Sequence, residues 1–523
     1  MRPPAFLERP AAFLRSRADR VGGTILLAVT LATRVTYLDR PLHGDELISF
    51  GNMVLGRSFS GIVLGPFDGN SHLLNSIVMK LVYLGFGENP TLMRLPNLIM
   101  AAAAVILLYA VGSRLLGRAA GFAAALLLSL HPAMVLYSVF CRGYAGVVLF
   151  TVLSSVLLLG LLERFSWPRW VACALAGVLA CAFHLFAVNV LIAQILVVAL
   201  AAVRPTTEGA RPLGRVALAP AVALAATVLI SLPAFLHEAA SGASFRFQAE
   251  FPAALLNFLG GHSYRSQLDL PSLLLALLAA AGFAGIAGHA TLRRYAGLLF
   301  LSPAALYVLS YAAPVFTLHP RFFSFLLPFF CLLLAAGLQL AVGFVDASTT
   351  VGSAARPVIR IAAAGIVLLV ALTFADRVRI PRKDPLVRAR EEVRAFIDAR
   401  PDARLLTNDT GFVRLRLRQE DTMDRIRPAP GVKQIRAALA ERPAGEVFFI
   451  YVPQKRFTES DLIHYQRNVA PEVLYRRDDW LRGYLERNAT LAVDLGPTVR
   501  IYDLRAEPQQ PQATASPVAD RSD

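Results

Sequence analysis

For roughly its first three-quarters the chain alternates long apolar runs with short polar connections, and then its character changes. Apolar runs of spanning length fall near 21–38, 95–113, 119–136, 145–162, 170–186, 187–203, 216–235, 271–290, 296–313, 322–343 and 358–375. Crossing the hydrocarbon core takes roughly 20 apolar residues per helix, so the pattern predicts a polytopic α-helical membrane domain over 21–376 with about 11–13 spans. Segment 73–86 is too short and too interrupted to span, and reads as an interfacial helix in the long loop 39–94. From about Asp376 onward charges are frequent. Helical patterns at 385–399 and 431–442 alternate there with short apolar runs at 403–407 and 446–452, and the runs TLAVDL and TVRIYDL flank Gly496-Pro497, a hairpin signal. That order predicts a small α/β domain over 380–505. The tail 506–523 has the composition of disorder.

Composition agrees with a membrane chain: 56% of residues are hydrophobic and only 17% charged. The net charge of +16 is carried by arginine, since all but four of the 52 basic residues are Arg. No basic stretch is interleaved with aromatics in the manner of a nucleic-acid groove, which argues against nucleic acid as the partner. The arginines instead mark alternate loops. Five lie in the basic tail 1–20; Arg114 and Arg118, Arg164 and Arg169, then Arg204, Arg211 and Arg215 follow, and later Arg293, Arg294, Arg356 and Arg360. The positive-inside bias puts the N-terminal tail in the cytoplasm and the loop 39–94 outside; an odd number of spans puts the C-terminal domain outside as well. In a bacterium that is a multi-pass inner-membrane protein with a periplasmic domain. The first apolar run follows arginines as in a signal peptide, but no small-x-small site follows and Arg34 interrupts it, so it reads as an uncleaved helix. Cys141, Cys173, Cys181 and Cys331 lie in or beside apolar segments with no CxxC pair, and read as packing residues.

The candidate chemistry sits in the outer loops. Asp45 and Glu46 follow the first apolar run directly, in LDRPLHGDE. A carboxylate at the edge of an apolar cavity is desolvated and suits general-base work on a hydroxyl. Neighbours on a helix point ~100° apart, so one acid faces a site while the other orients a neighbour or holds an ion. The plainer alternative has both acids solvated, or capping the helix that follows. The same loop holds Asn70, His72 and Lys80, the last two about two helical turns apart. Cys141-Arg142-Gly143-Tyr144, His262-Ser263-Tyr264-Arg265 and His319-Pro320-Arg321 lie in further outer loops. Arginine on that side runs against the topology bias, and a phosphate is its obvious counter-charge; lipid headgroups or the nearby acids are the alternative partners. His43, His72, His262 and His319 leave a divalent metal open, but no ligand-spacing motif accompanies them, and the reading here is no cofactor.

Several segments in order resemble a known family. The acidic pair, Arg94-Leu95-Pro96-Asn97 opening the second span, the stretch LLGRAAGFAAALLLSLHPAMVLYSVFCRGYA at 115–145, and HPRFFSFLLPFF at 319–330 are similar to the GT-C membrane glycosyltransferases. The branch in question includes the protein O-mannosyltransferases, the lipid A aminoarabinose transferase and the RgtA/B/C/D-like enzymes. Phe322 stands where that branch often has Tyr, and 66–76 lacks its frequent His-Pro-Pro. The resemblance implies a GT-C fold and a polyprenyl-phosphate sugar donor. It implies inverting transfer to an acceptor hydroxyl of a glycolipid, polysaccharide or protein. It also implies Asp45 as base, supported by Glu46, and leaves the lipid phosphate to Arg142, Arg321, Lys80 and Arg265. Tyr144, Asn70, His72, His262 and His319 complete the expected substrate site. A lipid-linked-sugar flippase and an envelope-assembly binding protein are the competing functions.

Overall fold

The computed structural model describes residues 16–40, 42, 45–55, 57–65, 72–203, 213–240, 251–261, 268–288, 296–298, 301–302, 320–347, 355–378, 385–407, 426–428, 432–440, 446–451, 481–494 and 500–504. The chain divides into two compact units, Met1–Arg382 and Lys383–Asp523.

The first unit is helical. Its elements are α1 (Arg17–Ala32), α2 (Asp45–Ser49) continuing into a wide helical turn Phe50–Leu55, α3 (Phe59–Leu64), α4 (Leu73–Phe86), α5 (Pro90–Leu116), α6 (Arg118–Leu130), α7 (Pro132–Ser138), α8 (Tyr144–Glu163), α9 (Trp167–Phe183), α10 (Val188–Val203), α11 (Leu213–Ala240), α12 (Phe251–Leu259), α13 (Leu270–Gly288), α14 (Leu327–Ala347) behind a tight turn Pro320–Leu326, and α15 (Ala355–Asp376). Among the described residues seven helices are long and apolar enough to cross a membrane, or eight if α6 and α7 are one bent span. The expected count of eleven or more falls partly because α1 and α9 have only 16 and 17 residues. It falls also because most of 296–313 lies outside the described residues.

The bend between α6 and α7 is 60°. Pro132 has no N–H to offer the preceding turn, so the helix cannot continue through it. The polar groups released there are taken up locally. His131 accepts from the Ala133 N–H at 3.2 Å through Nδ1 and meets the Leu259 carbonyl at 3.1 Å through Nε2. The Ser129 carbonyl accepts from Arg34 at 2.8 Å. Arg34 is fully buried, and its remaining donors go to Ser138 Oγ (2.6 Å), the Thr30 carbonyl (3.0 Å) and Thr33 Oγ1 (2.8 Å).

Small residues set the helix spacing. A Cβ on Gly112 would lie 2.9 Å from Gly121 Cα, and one on Gly121 would lie 2.2 Å from the Ser113 amide, so α5 and α6 touch backbone to backbone. Gly117, at φ +88°, makes the turn between them in the left-handed region that glycine favours. Gly282 and Gly337 do the same for α13 and α14, where added Cβ atoms would meet the Leu333 and Leu278 carbonyls at 2.0 and 2.3 Å. Close approach through small residues is the usual way helices associate in lipid, where there is no water to expel.

The second unit is α/β. Strands β1 (Arg404–Thr407), β2 (Ile426–Pro428), β3 (Val447–Tyr451), β4 (Thr490–Asp494) and β5 (Arg500–Asp503) form one sheet in the order β2-β1-β3-β5-β4. β1 pairs parallel with β2 and β3, whereas β5 pairs antiparallel with β3 and β4. Helices α16 (Pro385–Asp398) and α17 (Val432–Ala440) cover it. Val393 and Ile397 pack against Leu405, Phe448 and Ile501 in one core cluster. Ile435 joins Leu406, Phe449 and Tyr502 in another. This period-two division of β1 and β3 is what a sheet with helices on both faces requires. The runs 403–407, 446–452, TLAVDL and TVRIYDL each form a strand; β2 was not expected.

Candidate active site

Asp45 and Glu46 occupy the first turn of α2, and the ~100° step between neighbours on a helix sends them to different surroundings. Glu46 is fully buried. Its Oε1 and Oε2 accept from Arg94 Nε (3.0 Å) and a terminal nitrogen (2.8 Å), a fork-to-fork pair, and Oε1 also accepts from the Cys141 amide at 2.8 Å. The same guanidinium reaches the Leu38 carbonyl at 2.9 Å and the Arg40 carbonyl. Glu46, expected in the catalytic pair as the supporting acid of Asp45, has both oxygens engaged by Arg94 and the Cys141 amide.

Arg94 and Asn97 lie three residues apart on α5, hence on one face. Asn97 Nδ2 donates to the Phe140 carbonyl (2.7 Å) and to Asn75 Oδ1 (3.1 Å), while Asn75 Nδ2 donates to the Cys141 carbonyl (2.7 Å). Residues 139–143 have no regular helix to satisfy their backbone, and this buried polar network does so. The network fixes where Arg142 points.

Arg142 is buried, with a side-chain exposure of 2%. It places a terminal nitrogen 3.7 Å from Asp45 Oδ2 and another 3.3 Å from Ser49 Oγ. Arg321, on the tight turn before α14, donates to the same Asp45 Oδ2 at 2.8 Å. Asp45 keeps 31% of its side chain exposed and Arg321 16%, so this carboxylate stays accessible between two guanidinium groups. Residues 276 positions apart in sequence thus meet at one oxygen.

Behind the arginines lies an aromatic and imidazole layer. Tyr144 is buried, with its ring 4.3 Å from Tyr137, 5.1 Å from His72 and 5.3 Å from His184, centroid to centroid, and Arg142 sits 5.9 Å over its face. His72 Nδ1 meets the Phe183 carbonyl at 2.9 Å, so that nitrogen carries the proton and Nε2 is left as an acceptor. Burial first, and then the Arg142 guanidinium and the neighbouring His184, hold His72 well below the usual imidazole range, so it is neutral. His184 accepts from the Phe186 amide at 3.3 Å through Nδ1, which puts its proton on Nε2. Phe322 stacks on Phe186 at 4.8 Å and lies 5.2 Å from His184. The Arg321 guanidinium lies 5.8 Å over the same Phe322 ring.

The structure therefore brings together Asp45, Arg142 and Arg321, with Tyr144 and His72 against them. Lys80 does not join them: its ammonium donates to the Val54 and Arg57 carbonyls at 2.7 and 2.6 Å, closing the end of the wide turn after α2. It was expected to meet the donor phosphate; here its ammonium is engaged by these two loop carbonyls. Asn70, His262, Arg265 and His319 lie outside the described residues, as does His43. Among the described residues no group of three His, Cys, Asp or Glu is placed to hold a metal ion. Sequence reasoning missed His184. The signal was present, since the boundary between the apolar runs 170–186 and 187–203 is a lone imidazole in extended backbone (φ −157°, ψ 117°).

Residues 73–231 match the family model described as dolichyl-phosphate-mannose-protein mannosyltransferase. No curated protein matches the chain. Among solved structures, ArnT from Cupriavidus metallidurans in the apo state superposes with a TM-score of 0.54 at 12% identity, covering 93% of this chain and 98% of that one. The same protein bound to undecaprenyl phosphate gives a TM-score of 0.52 at 13% identity, covering 95% and 100%. The Archaeoglobus fulgidus oligosaccharyltransferase with an acceptor peptide gives 0.52 at 11% identity, covering 94% of this chain and 74% of that one. The fold is that of the GT-C membrane glycosyltransferases. Within that class, the matched segment and the ArnT superposition make it a fold of the ArnT and protein-mannosyltransferase type. The matched segment carries Arg94, Arg142, Tyr144 and His184, whereas Asp45 and Arg321 lie on either side of it.

Proposed function

We infer that the protein transfers a sugar from a polyprenyl-phosphate donor to an acceptor hydroxyl in a single inverting displacement. The observation that carries this reading is Asp45, an accessible carboxylate held between Arg321 at 2.8 Å and Arg142 at 3.7 Å. One carboxylate against two guanidinium groups leaves these three side chains with one net positive charge, which matches the single negative charge of a phosphodiester. A donor phosphate drawing the N–H groups of Arg142 and Arg321 releases Asp45 Oδ2 from them. The freed carboxylate takes the proton of the acceptor hydroxyl as that oxygen attacks the anomeric carbon. The lipid phosphate leaves with the bond electrons, and the guanidinium groups stabilise its growing charge. Support for the lipid donor comes from the undecaprenyl phosphate held by the ArnT structure and from the mannosyltransferase family match. The proposed chemistry needs no metal.

Asp45→Asn keeps the shape and removes the base. Transfer by the purified variant supplied with a polyprenyl-phosphate sugar falls by about 10²–10⁴, the usual contribution of a general base, and wild-type transfer persists in chelator. Near-wild-type transfer by the variant overturns the base assignment.

We further propose that the Asp45 face looks away from the cytoplasm of a bacterial inner membrane, on the strength of the arginine alternation. A cysteine placed at exposed Asp39 is then labelled by an impermeant thiol reagent in spheroplasts. Labelling only after lysis reverses the orientation.

A further inference from the structure

A groove of about 630 Å³ runs between α6, α14 and α15, remote from Asp45. Its walls are apolar: Ala123 and Leu126 of α6, Leu338 of α14, Ala364 and Val367 of α15 are among them. At one end stand Arg118 and Arg360, and the described lining holds no carboxylate. Arg94, in the site network, and Leu116 are 22 residues apart on α5, about 33 Å at 1.5 Å per residue. Arg118 lies two residues beyond Leu116, across the Gly117 turn, so the basic end lies at the membrane face opposite Asp45.

Such a groove in hydrocarbon cannot be water-filled, since its walls offer almost no polar partner, and an empty one forfeits the dispersion contacts of every wall atom. Only 11% of the α15 span is buried, so the groove lies along the most weakly packed of the candidate spans. Arg118 also holds buried Asp19 through two nitrogens, at 3.0 and 3.1 Å, yet 62% of its side chain remains exposed. An acyl chain suits the walls, and a phosphate suits two guanidinium groups at the interface; basic pockets between helices are recognised lipid headgroup sites.

We propose that this groove seats an acyl chain of an anionic glycerophospholipid from the leaflet opposite Asp45, with its phosphate on Arg118 and Arg360. The bound lipid wedges α15 onto α6 and α14. The polyprenyl donor is a different ligand, because its phosphate belongs at the other membrane face.

The test is native mass spectrometry of the full-length protein in mild detergent, with phosphatidylglycerol and phosphatidylcholine added in turn. Wild type retains phosphatidylglycerol at least tenfold better than phosphatidylcholine. Arg118→Gln/Arg360→Gln removes that preference while donor-dependent sugar transfer stays within about threefold of wild type. Since Arg118 also neutralises Asp19, a second variant, Ala123→Leu/Ala364→Leu, fills the groove with the charges intact; it lowers phosphatidylglycerol retention at least tenfold. Equal retention of the two lipids by wild type overturns the proposal. So does undiminished phosphatidylglycerol on the filled-groove variant, or displacement of phosphatidylglycerol by an equimolar polyprenyl phosphate.

Discussion

Asp45 and Glu46 are adjacent and chemically alike, yet they do opposite work. Glu46 has no exposed surface and both oxygens occupied; Asp45 has an accessible oxygen shared by two cations. Removing one member of a buried ion pair strands the other, at about 3–5 kcal/mol, so Glu46 and Arg94 belong to stability before catalysis. The arginines at Asp45 divide in the same way. Arg142 is anchored at Ser49 and the Asp45 carbonyl, whereas Arg321 is the more exposed of the two. Arg321→Gln therefore lowers kcat by about 10²–10³, the cost of one lost charge-stabilising donor, with the thermal midpoint nearly unchanged and partial recovery in Arg321→Lys. A kcat within about threefold of wild type would remove Arg321 from the leaving-group role. The acidic pair and Arg142 and Arg321 were legible from charge that is out of place beside apolar runs. Which acid is buried was not, because that depends on Arg94 arriving from 48 positions away.

At the scale of elements, the loop 139–143 is the part on which the site turns. It is held by Asn75 of α4, Asn97 of α5 and Glu46 of α2, and it is pressed against the end of α9. A Cβ on Gly143 would stand 2.0 Å from the Phe183 carbonyl and 2.9 Å from His72 Nδ1. Its φ of −67° is ordinary, so this glycine is required by closeness alone. Gly143→Ala forces the loop off α9, breaks the His72–Phe183 contact and misplaces Arg142. The expected result is a loss of transfer of at least tenfold together with a lower thermal midpoint; unchanged values for both would show that the loop has slack. The sequence flagged Arg94-Leu95-Pro96-Asn97 and Cys141-Arg142-Gly143-Tyr144 separately. That the first builds the seat of the second is a tertiary fact, invisible to periodicity. β2 escaped for a local reason: three residues ending in Pro428 carry no alternation long enough to read.

For the whole molecule, the site and the sheet belong to separate units. Asp45, Arg142 and Arg321 all lie within Met1–Arg382. A chain ending at Arg382 accordingly keeps donor-dependent transfer within about tenfold of the full-length rate, measured in matched detergent; complete loss with an intact helical spectrum would move essential chemistry into Lys383–Asp523. Span-length runs showed the helical class and the charge shift near 376 showed the second unit. Among the described residues seven or eight helices have spanning length, and apolar length alone does not reveal the 60° break between α6 and α7. That break has its own consequence. Carbonyls freed at a kink normally recruit solvent, and solvent inside a bilayer opens a route for protons and ions. Here Arg34 supplies a donor to the Ser129 carbonyl, and His131 Nδ1 accepts from the Ala133 N–H, both from within the protein. The protein can thus carry a sharply folded helix through the membrane with its freed carbonyl at Ser129 satisfied from within.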